Sequence, residues 1–294
     1  MKKIQTELRV LFLIERKINL LLIGKGDWAL KLQKIFSNQE FNIICKIVGA
    51  REFIESRDLQ VVNNKIIWIC TNTDLQLEIL YKLRNLTNKL ILEKPLFTNL
   101  SQLQKFTNVV EGSTLSLYFS CPWKYSKIWE FSKKTIMQNL YPLNIQTQRY
   151  GTALRKYAKP PQDWLAHDIY LVQDLFVSTN FHLIGRETIW IEDTKEAIVN
   201  LKMPDGSKCS ISGGYANNAA RWANWIVYFS DNSKMEIDFL HGETRIYNNA
   251  EVDLPEQIVS ITENHPVVEM LANYATNAPM IPIKNHIYWQ SLLV

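Results

Sequence analysis

Closely spaced cysteines, long apolar runs and blocks of like charge are all missing from this chain of 294 residues. Cys45, Cys70, Cys121 and Cys209 show no C-x-x-C spacing, and Cys45 and Cys70 fall inside apolar runs. They read as buried reduced thiols acting as small hydrophobes, which suits a reducing cytoplasm. No grouping of His, Cys and carboxylate residues has the spacing of a metal site. No stretch approaches the roughly 20 apolar residues of a membrane span. Met1-Lys2-Lys3 resembles the start of a signal peptide, but Val10-Leu11-Phe12-Leu13-Ile14 is short and is closed by Glu15-Arg16-Lys17, without a small-residue cleavage site. Residues 1–17 are therefore set apart as an N-terminal extension, either a short leading helix or an upstream-start artefact. The net charge is +4, and basic residues gather only as doublets such as Arg16-Lys17 and Lys133-Lys134. A nucleic-acid surface would collect them on one face. Neither nucleic acid nor membrane is an expected partner, and the expected location is cytoplasmic. Internal repeats and low-complexity segments are absent.

What is present is an ordinary globular composition, 47% hydrophobic and 21% charged, at a length that accommodates two domains. Ile18–Ile23 is a largely apolar run between charge and glycine, the pattern of a strand buried on both faces of a parallel sheet. Trp28 to Phe36 has a helical apolar period. Phe41 to Val48, Ile66 to Cys70 and Leu90 to Leu92 read as further strands, with helices from Leu75 to Leu83 and Leu100 to Val109. Strands alternating with helices predict an α/β, doubly wound Rossmann domain over residues 18–113. Beyond it the pattern changes. Helices at Tyr125–Gln138 and Leu165–Phe176 accompany strand-like runs at Asn144–Tyr150, Thr188–Ile191, Ala197–Leu201, Cys209–Tyr215, Asn224–Phe229 and Lys234–Phe239. Turn sequences such as Pro204-Asp205-Gly206-Ser207 join them. An α+β domain with a largely antiparallel sheet is predicted over 114–294, with a final helix at Pro266–Tyr274.

Gly24-x-Gly26-x-x-Ala29 sits directly after the first strand and opens a helix. In that context Gly24 permits a tight turn, Gly26 lets backbone N–H groups approach a pyrophosphate, and Ala29 lets helix and strand pack closely. The helix N-terminus adds partial positive charge. A glycine turn with no ligand is the plainer alternative. The second strand ends Val48-Gly49-Ala50-Arg51, without the acid that takes the ribose hydroxyls of NAD. A small residue followed by arginine favours NADP(H), unless Arg51 is simply a solvated residue at a helix start.

Lys94 falls at the carboxyl end of a predicted parallel strand, where open α/β sheets place ligands, and Pro95 turns the chain there. A lysine in that position is otherwise solvated. Asp163 and His167 are four residues apart: they share a face if the helix includes Asp163, and otherwise Asp163 lies near its N-terminus. A carboxylate beside an imidazole raises its pKa and orients the ring for proton transfer, although such pairs are more often caps or satisfied pairs. His182, His241, His265 and His286 lack comparable partners.

Gly24-Lys25-Gly26, Trp68-Ile69-Cys70-Thr71-Asn72, Glu93-Lys94-Pro95 and Asp163-x-x-x-His167-Asp168 together resemble the Gfo/Idh/MocA oxidoreductases, the glucose-fructose oxidoreductase and inositol dehydrogenase group, over nearly the full length from Ile18. The resemblance implies a Rossmann domain followed by an open-faced mixed sheet that carries substrate and oligomer contacts, as a homodimer or homotetramer. It implies an enzyme, an NAD(P)-dependent oxidoreductase with NADP preferred over NAD. Hydride would pass between nicotinamide and a hydroxyl or carbonyl carbon, on a carbohydrate such as a sugar or sugar nucleotide. Lys94 would polarise the reacting oxygen, His167 would be the acid/base, Asp163 would position substrate or imidazole, and the Lys94-Pro95 peptide would be cis. The cofactor-binding set it implies is Gly24, Lys25, Gly26, Asp27, Trp28, Ala29, Ala50, Arg51, Thr71, Asn72, Glu93 and Lys94. Trp123, Lys124, Arg149, Tyr150, Arg155 and Trp222 are candidates for a polar, aromatic pocket, with Trp123 and Trp222 reading more as core. Leu165 stands where the group has glycine and is expected to crowd the substrate face; Gln76 stands where histidine is frequent. These departures keep open a catalytically silent cofactor-binding or scaffold protein. A reductase of a tetrapyrrole or an imine is the other alternative.

Overall fold

The computed structural model describes residues 17–37, 42–86, 88–138, 142–151, 161–176, 185–191, 196–203, 206–215, 221–261, 266–276 and 283–294. The chain divides into two compact units. The first runs to Ser120 and includes Val267–Ile287; the second comprises Cys121–Pro266 and Tyr288–Val294.

The first unit alternates β1 (Ile18–Ile23), α1 (Asp27–Phe36), β2 (Ile43–Val48), α2 (Ala50–Glu55), β3 (Ile66–Ile69), α3 (Thr73–Leu83), β4 (Lys89–Leu92), α4 (Leu100–Glu111) and β5 (Ser116–Phe119). Every strand pairing is parallel, in the order β2-β1-β3-β4-β5. Leu20, Leu21, Leu22 and Ile23 are wholly buried, which explains an apolar run with no alternation. Each such side chain contributes about 1.5–3 kcal/mol by leaving water. The order reverses between β1 and β3, and the crevice that forms at such a reversal is where doubly wound sheets bind ligands.

The second unit contains a short 3₁₀ turn (Pro122–Tyr125), α5 (Lys127–Gln138), β6 (Pro142–Gly151), a π-helical turn (Pro161–Leu165) and α6 (Ala166–Phe176). The strands β7 (Gly185–Ile191), β8 (Glu196–Lys202), β9 (Lys208–Tyr215), β10 (Trp222–Phe229), β11 (Lys234–Asp238), β12 (Glu243–Tyr247) and β13 (Gln257–Ser260) follow. The sheet order is β13-β12-β11-β10-β6-β9-β8-β7, antiparallel except where β6 meets β9. On β10, Ala223, Trp225, Val227 and Phe229 are buried, while Asn224, Ile226 and Tyr228 are partly exposed on the other face. Helices cover the buried face: Trp129 of α5 meets Trp225 edge-on at 5.1 Å, and Ser132 hydrogen-bonds Thr244 of β12 at 3.0 Å. The architecture is the expected α/β unit followed by a mixed, mostly antiparallel sheet.

Two elements fall elsewhere than expected. β5 continues the parallel sheet beyond residue 113; it begins at an exposed serine and is too short to show periodicity. The helix α7 (Pro266–Ala275), expected in the second domain, clusters with the first unit; α8 (Ile283–Ser291) follows it. The reason for α7 is specific. The Lys89 ammonium donates to the Tyr274 and Ala275 carbonyls at 2.8 and 3.3 Å, where a cation complements the helix dipole. The Tyr274 hydroxyl donates to the Phe119 carbonyl at 2.6 Å, and its ring stacks on Tyr118 at 4.7 Å. Phe41, Pro204, Asp205, His182, His265, Arg155 and residues 1–16 of the N-terminal extension lie outside the described residues.

Candidate functional site

The backbone around the glycine turn is fixed from both sides. Gly24 N–H donates to the Val48 carbonyl and Cys70 N–H to the Ile23 carbonyl, each at 2.8 Å. This draws the carboxyl ends of β2, β1 and β3 together. Gly24 has φ of +132°, and a Cβ there would lie 2.1 Å from the Cys70 carbonyl oxygen. Only glycine satisfies both constraints. Gly26, by contrast, has nothing within 4 Å of where a Cβ would stand, and it precedes α1 as its N-cap without a side-chain hydrogen bond. Its neighbour Ala29 is wholly buried, as close helix packing requires. An open glycine ahead of a ten-residue helix, on a sheet reversal, fits a dinucleotide pyrophosphate.

Around that turn, Asp27 begins α1, and Lys25 pairs with Glu52 at 3.0 Å. Ala50 and Arg51 begin α2, with Arg51 exposed. Thr71 is half-buried, and Asn72 caps α3 by accepting the Leu75 N–H at 3.0 Å.

Glu93 is the electrostatic centre of this region. Its Oε1 accepts the Trp28 indole N–H at 2.7 Å and the Trp68 indole N–H at 2.8 Å. Burial pushes its carboxyl above the usual range, against the opposing pull of the indole donors and of Lys94. The Lys94-Pro95 peptide is cis, as the resemblance implied. The first turn of α3 grips this segment, with Thr73 donating to the Pro95 carbonyl and Gln76 to the Glu93 carbonyl, each at 3.4 Å. Gln76 is completely buried, so its amide braces the chain beside Lys94. Sequence reasoning missed Trp68, Thr73 and Gln76 as braces; the helix-face spacing of Thr73 and Gln76 was the available signal.

In the second unit, Asp163 lies in the π-helical turn, and His167 is the second residue of α6. Asp163 is 1% exposed and His167 half-buried. The helix begins after Asp163, so regular α-helical spacing does not carry through the pair. Asp168 is locked by Arg149, whose Nε and Nη2 donate to its two oxygens at 2.7 and 2.9 Å, and by the Trp225 indole at 2.7 Å. Arg149 also lies over the Trp123 and Phe239 rings.

The pocket candidates are mostly structural. Arg149 is buried in this ion pair rather than lining a pocket. Lys124 pairs with Asp174 at 3.1 Å, and Lys133 and the Trp129 indole bind the same carboxylate. Although burial raises it, Asp174 is held below the usual range by Lys124 and Lys133. Trp123 meets Phe239 edge-on, and Tyr150 packs against Trp222 at 4.9 Å. Leu165 packs against β9. It is fully buried, and a Cβ on Gly213 would lie 2.7 Å from its Cδ2. Its side chain occupies the space that glycine leaves in β9. Likewise a Cβ on Gly151 would overlap the Trp164 ring at 1.9 Å.

The predicted residues thus fall into two groups. The glycine turn, Ala50, Arg51, Thr71, Asn72, Glu93 and Lys94 belong to the first unit; Asp163 and His167 belong to the second. All four cysteines are free, and burial pushes the thiols of Cys45 and Cys121 up to about 11 and about 12. Among the described residues, no three His, Cys, Asp or Glu side chains gather as a metal site, and no helix is long and apolar enough to cross a membrane.

No protein-family model matches the chain, and no curated protein matches it. Solved structures do. A UDP-N-acetylglucosamine 3-dehydrogenase from Acidithiobacillus ferrooxidans aligns with a TM-score of 0.70 at 12% identity, over 95% of this chain and 96% of that one. A myo-inositol 2-dehydrogenase from Lactobacillus plantarum aligns at 0.67 and 12%, over 95% of each chain. A biliverdin reductase from Synechocystis, solved with biliverdin and NADP+, aligns at 0.67 and 11%, over 94% and 96%. Likeness at such identities establishes a shared fold.

Proposed function

We propose that this chain, whose fold is that of the Gfo/Idh/MocA-type oxidoreductases, is an NAD(P)-dependent oxidoreductase acting at a carbon that bears oxygen. The observation that carries the reading is the β1–β3 crevice, where Gly24 is obligatory and Gly26 stands open ahead of α1. In this reading, Gly24, Gly26 and the first turn of α1 hold the pyrophosphate, while Thr71, Asn72 and the Glu93-Lys94 segment border the remainder. When bound, the nicotinamide takes up or gives back a hydride. Lys94 places an ammonium against the reacting oxygen, stabilising negative charge there. His167 is the acid/base that takes or returns a proton, and Asp163 positions the imidazole or the substrate. A sugar or sugar nucleotide is the substrate class, supported by neighbours that by their names act on a sugar nucleotide and on a cyclic polyol. A tetrapyrrole or imine is the second reading, supported by an equally good alignment with the biliverdin reductase.

The test is turnover with a sugar panel and with biliverdin, alongside nucleotide binding followed by fluorescence. Lys94→Met should lower turnover by about 10²-fold or more while leaving NADPH binding in place. Retained turnover would remove Lys94 from the mechanism. No fluorescence response to either NADH or NADPH would remove the cofactor.

A further inference from the structure

We propose that Lys25 and Glu52 form an exchangeable ion pair that sets the preference between NADH and NADPH, a proposal that rests on the cofactor reading above. Lys25 belongs to the glycine turn after β1, and Glu52 to the first turn after β2. Their charged atoms meet at 3.0 Å. The same Glu52 oxygen also accepts the Gly49 N–H at 3.2 Å. A Cβ on Gly49 would stand 3.1 Å from Glu52 Oε2 and 3.7 Å from Lys25 Cε, so both side chains fold over the exit of β2. In dinucleotide-binding sheets, the exit of β2 is where the adenosine ribose is read.

The chemistry of the pair is divided. A carboxylate accepts from ribose hydroxyls and repels a 2′-phosphate, whereas an ammonium attracts the phosphate. With the pair closed, Glu52 remains an acceptor and the charge of Lys25 is compensated, which suits NADH. To hold a 2′-phosphate, Lys25 must exchange Glu52 for it. The side chains are 59% and 62% exposed, so this exchange disturbs little of the fold. Glu52 is held below the usual carboxylate range by the Lys25 hydrogen bond and the Gly49 N–H, and so stays ionised near neutral pH. The cofactor balance therefore turns on Lys25 against Glu52, with Arg51 as a further cation, and the acid that strand β2 lacks at its end is supplied by Glu52.

Dissociation constants for NADH and NADPH, measured by fluorescence titration on the whole protein at low and high salt, test this. Glu52→Gln should shift the ratio about tenfold toward NADPH, and Lys25→Met about tenfold toward NADH, the scale of one charge-assisted contact. Added salt should compress both shifts. Glu52→Asp should stay near the wild-type ratio. An unchanged ratio in both Glu52→Gln and Lys25→Met, with both nucleotides still bound, would overturn the ion-pair proposal and leave the cofactor reading standing. Binding of neither nucleotide to the wild-type protein would overturn the cofactor reading and the proposal with it.

Discussion

Each unit buries a carboxylate against tryptophan, and the two solve the same problem differently. Glu93 rests on the indole N–H groups of Trp28 and Trp68. Asp168 has one indole, from Trp225, and the two-pronged guanidinium of Arg149. A guanidinium cancels a full charge, whereas neutral donors only soften the loss of water. Hence burial dominates at Glu93 and pushes its carboxyl up. The contrast separates a carboxylate that knits a sheet to a helix from one whose charge state depends on its surroundings, beside the lysine proposed to act on substrate.

Breaking the ionic member should have the largest effect. Arg149→Met leaves Asp168 buried and unpaired, and should cost about 3–5 kcal/mol in denaturant unfolding. Replacing both partners together, as Arg149→Met with Asp168→Leu, should recover much of that loss. Leu165→Ala, which opens the space beside Gly213, should cost about 2–5 kcal/mol by the same measurement. In the first unit, Glu93→Ala strands the indole donors of the buried Trp68 and the half-buried Trp28, and about 2–4 kcal/mol should be lost. Glu93→Gln keeps an acceptor for both indoles and removes the ionisable group, so little stability should change at acid pH, below the ordinary carboxylate range, where both side chains are neutral.

That last variant sharpens the comparison through pH. A carboxyl whose folded pKa is raised binds more protons folded than unfolded in the interval between the two values. The stabilisation it contributes is fully present below the unfolded pKa and is lost as pH rises through the folded pKa. Wild-type protein should therefore lose stability across that interval relative to Glu93→Gln. Parallel curves for the two proteins would show that burial does not govern Glu93.

The first unit was more legible than the second, for physical reasons. The β1 run, the glycine turn and the strand end at Lys94 are local patterns, and parallel strands buried on both faces print their apolarity directly into sequence. Arg149 was misread as a pocket residue because its partner lies across a strand-to-helix crossing that no local period reveals. The packing of Leu165 was not legible because it depends on a π-helical turn and on a glycine in a distant strand. The helix α7 was misassigned because Lys89 and Tyr118 receive it from far along the chain.

The fit between Leu165 and Gly213 has an evolutionary corollary. Bulk at one position and its lack at the other make a matched lock, so drift at either should be constrained by its mate. Homologues that carry glycine at 165 are expected to hold a bulkier residue at 213. A combinatorial library varied at both sites should retain folded members along that diagonal and lose them where two large side chains coincide.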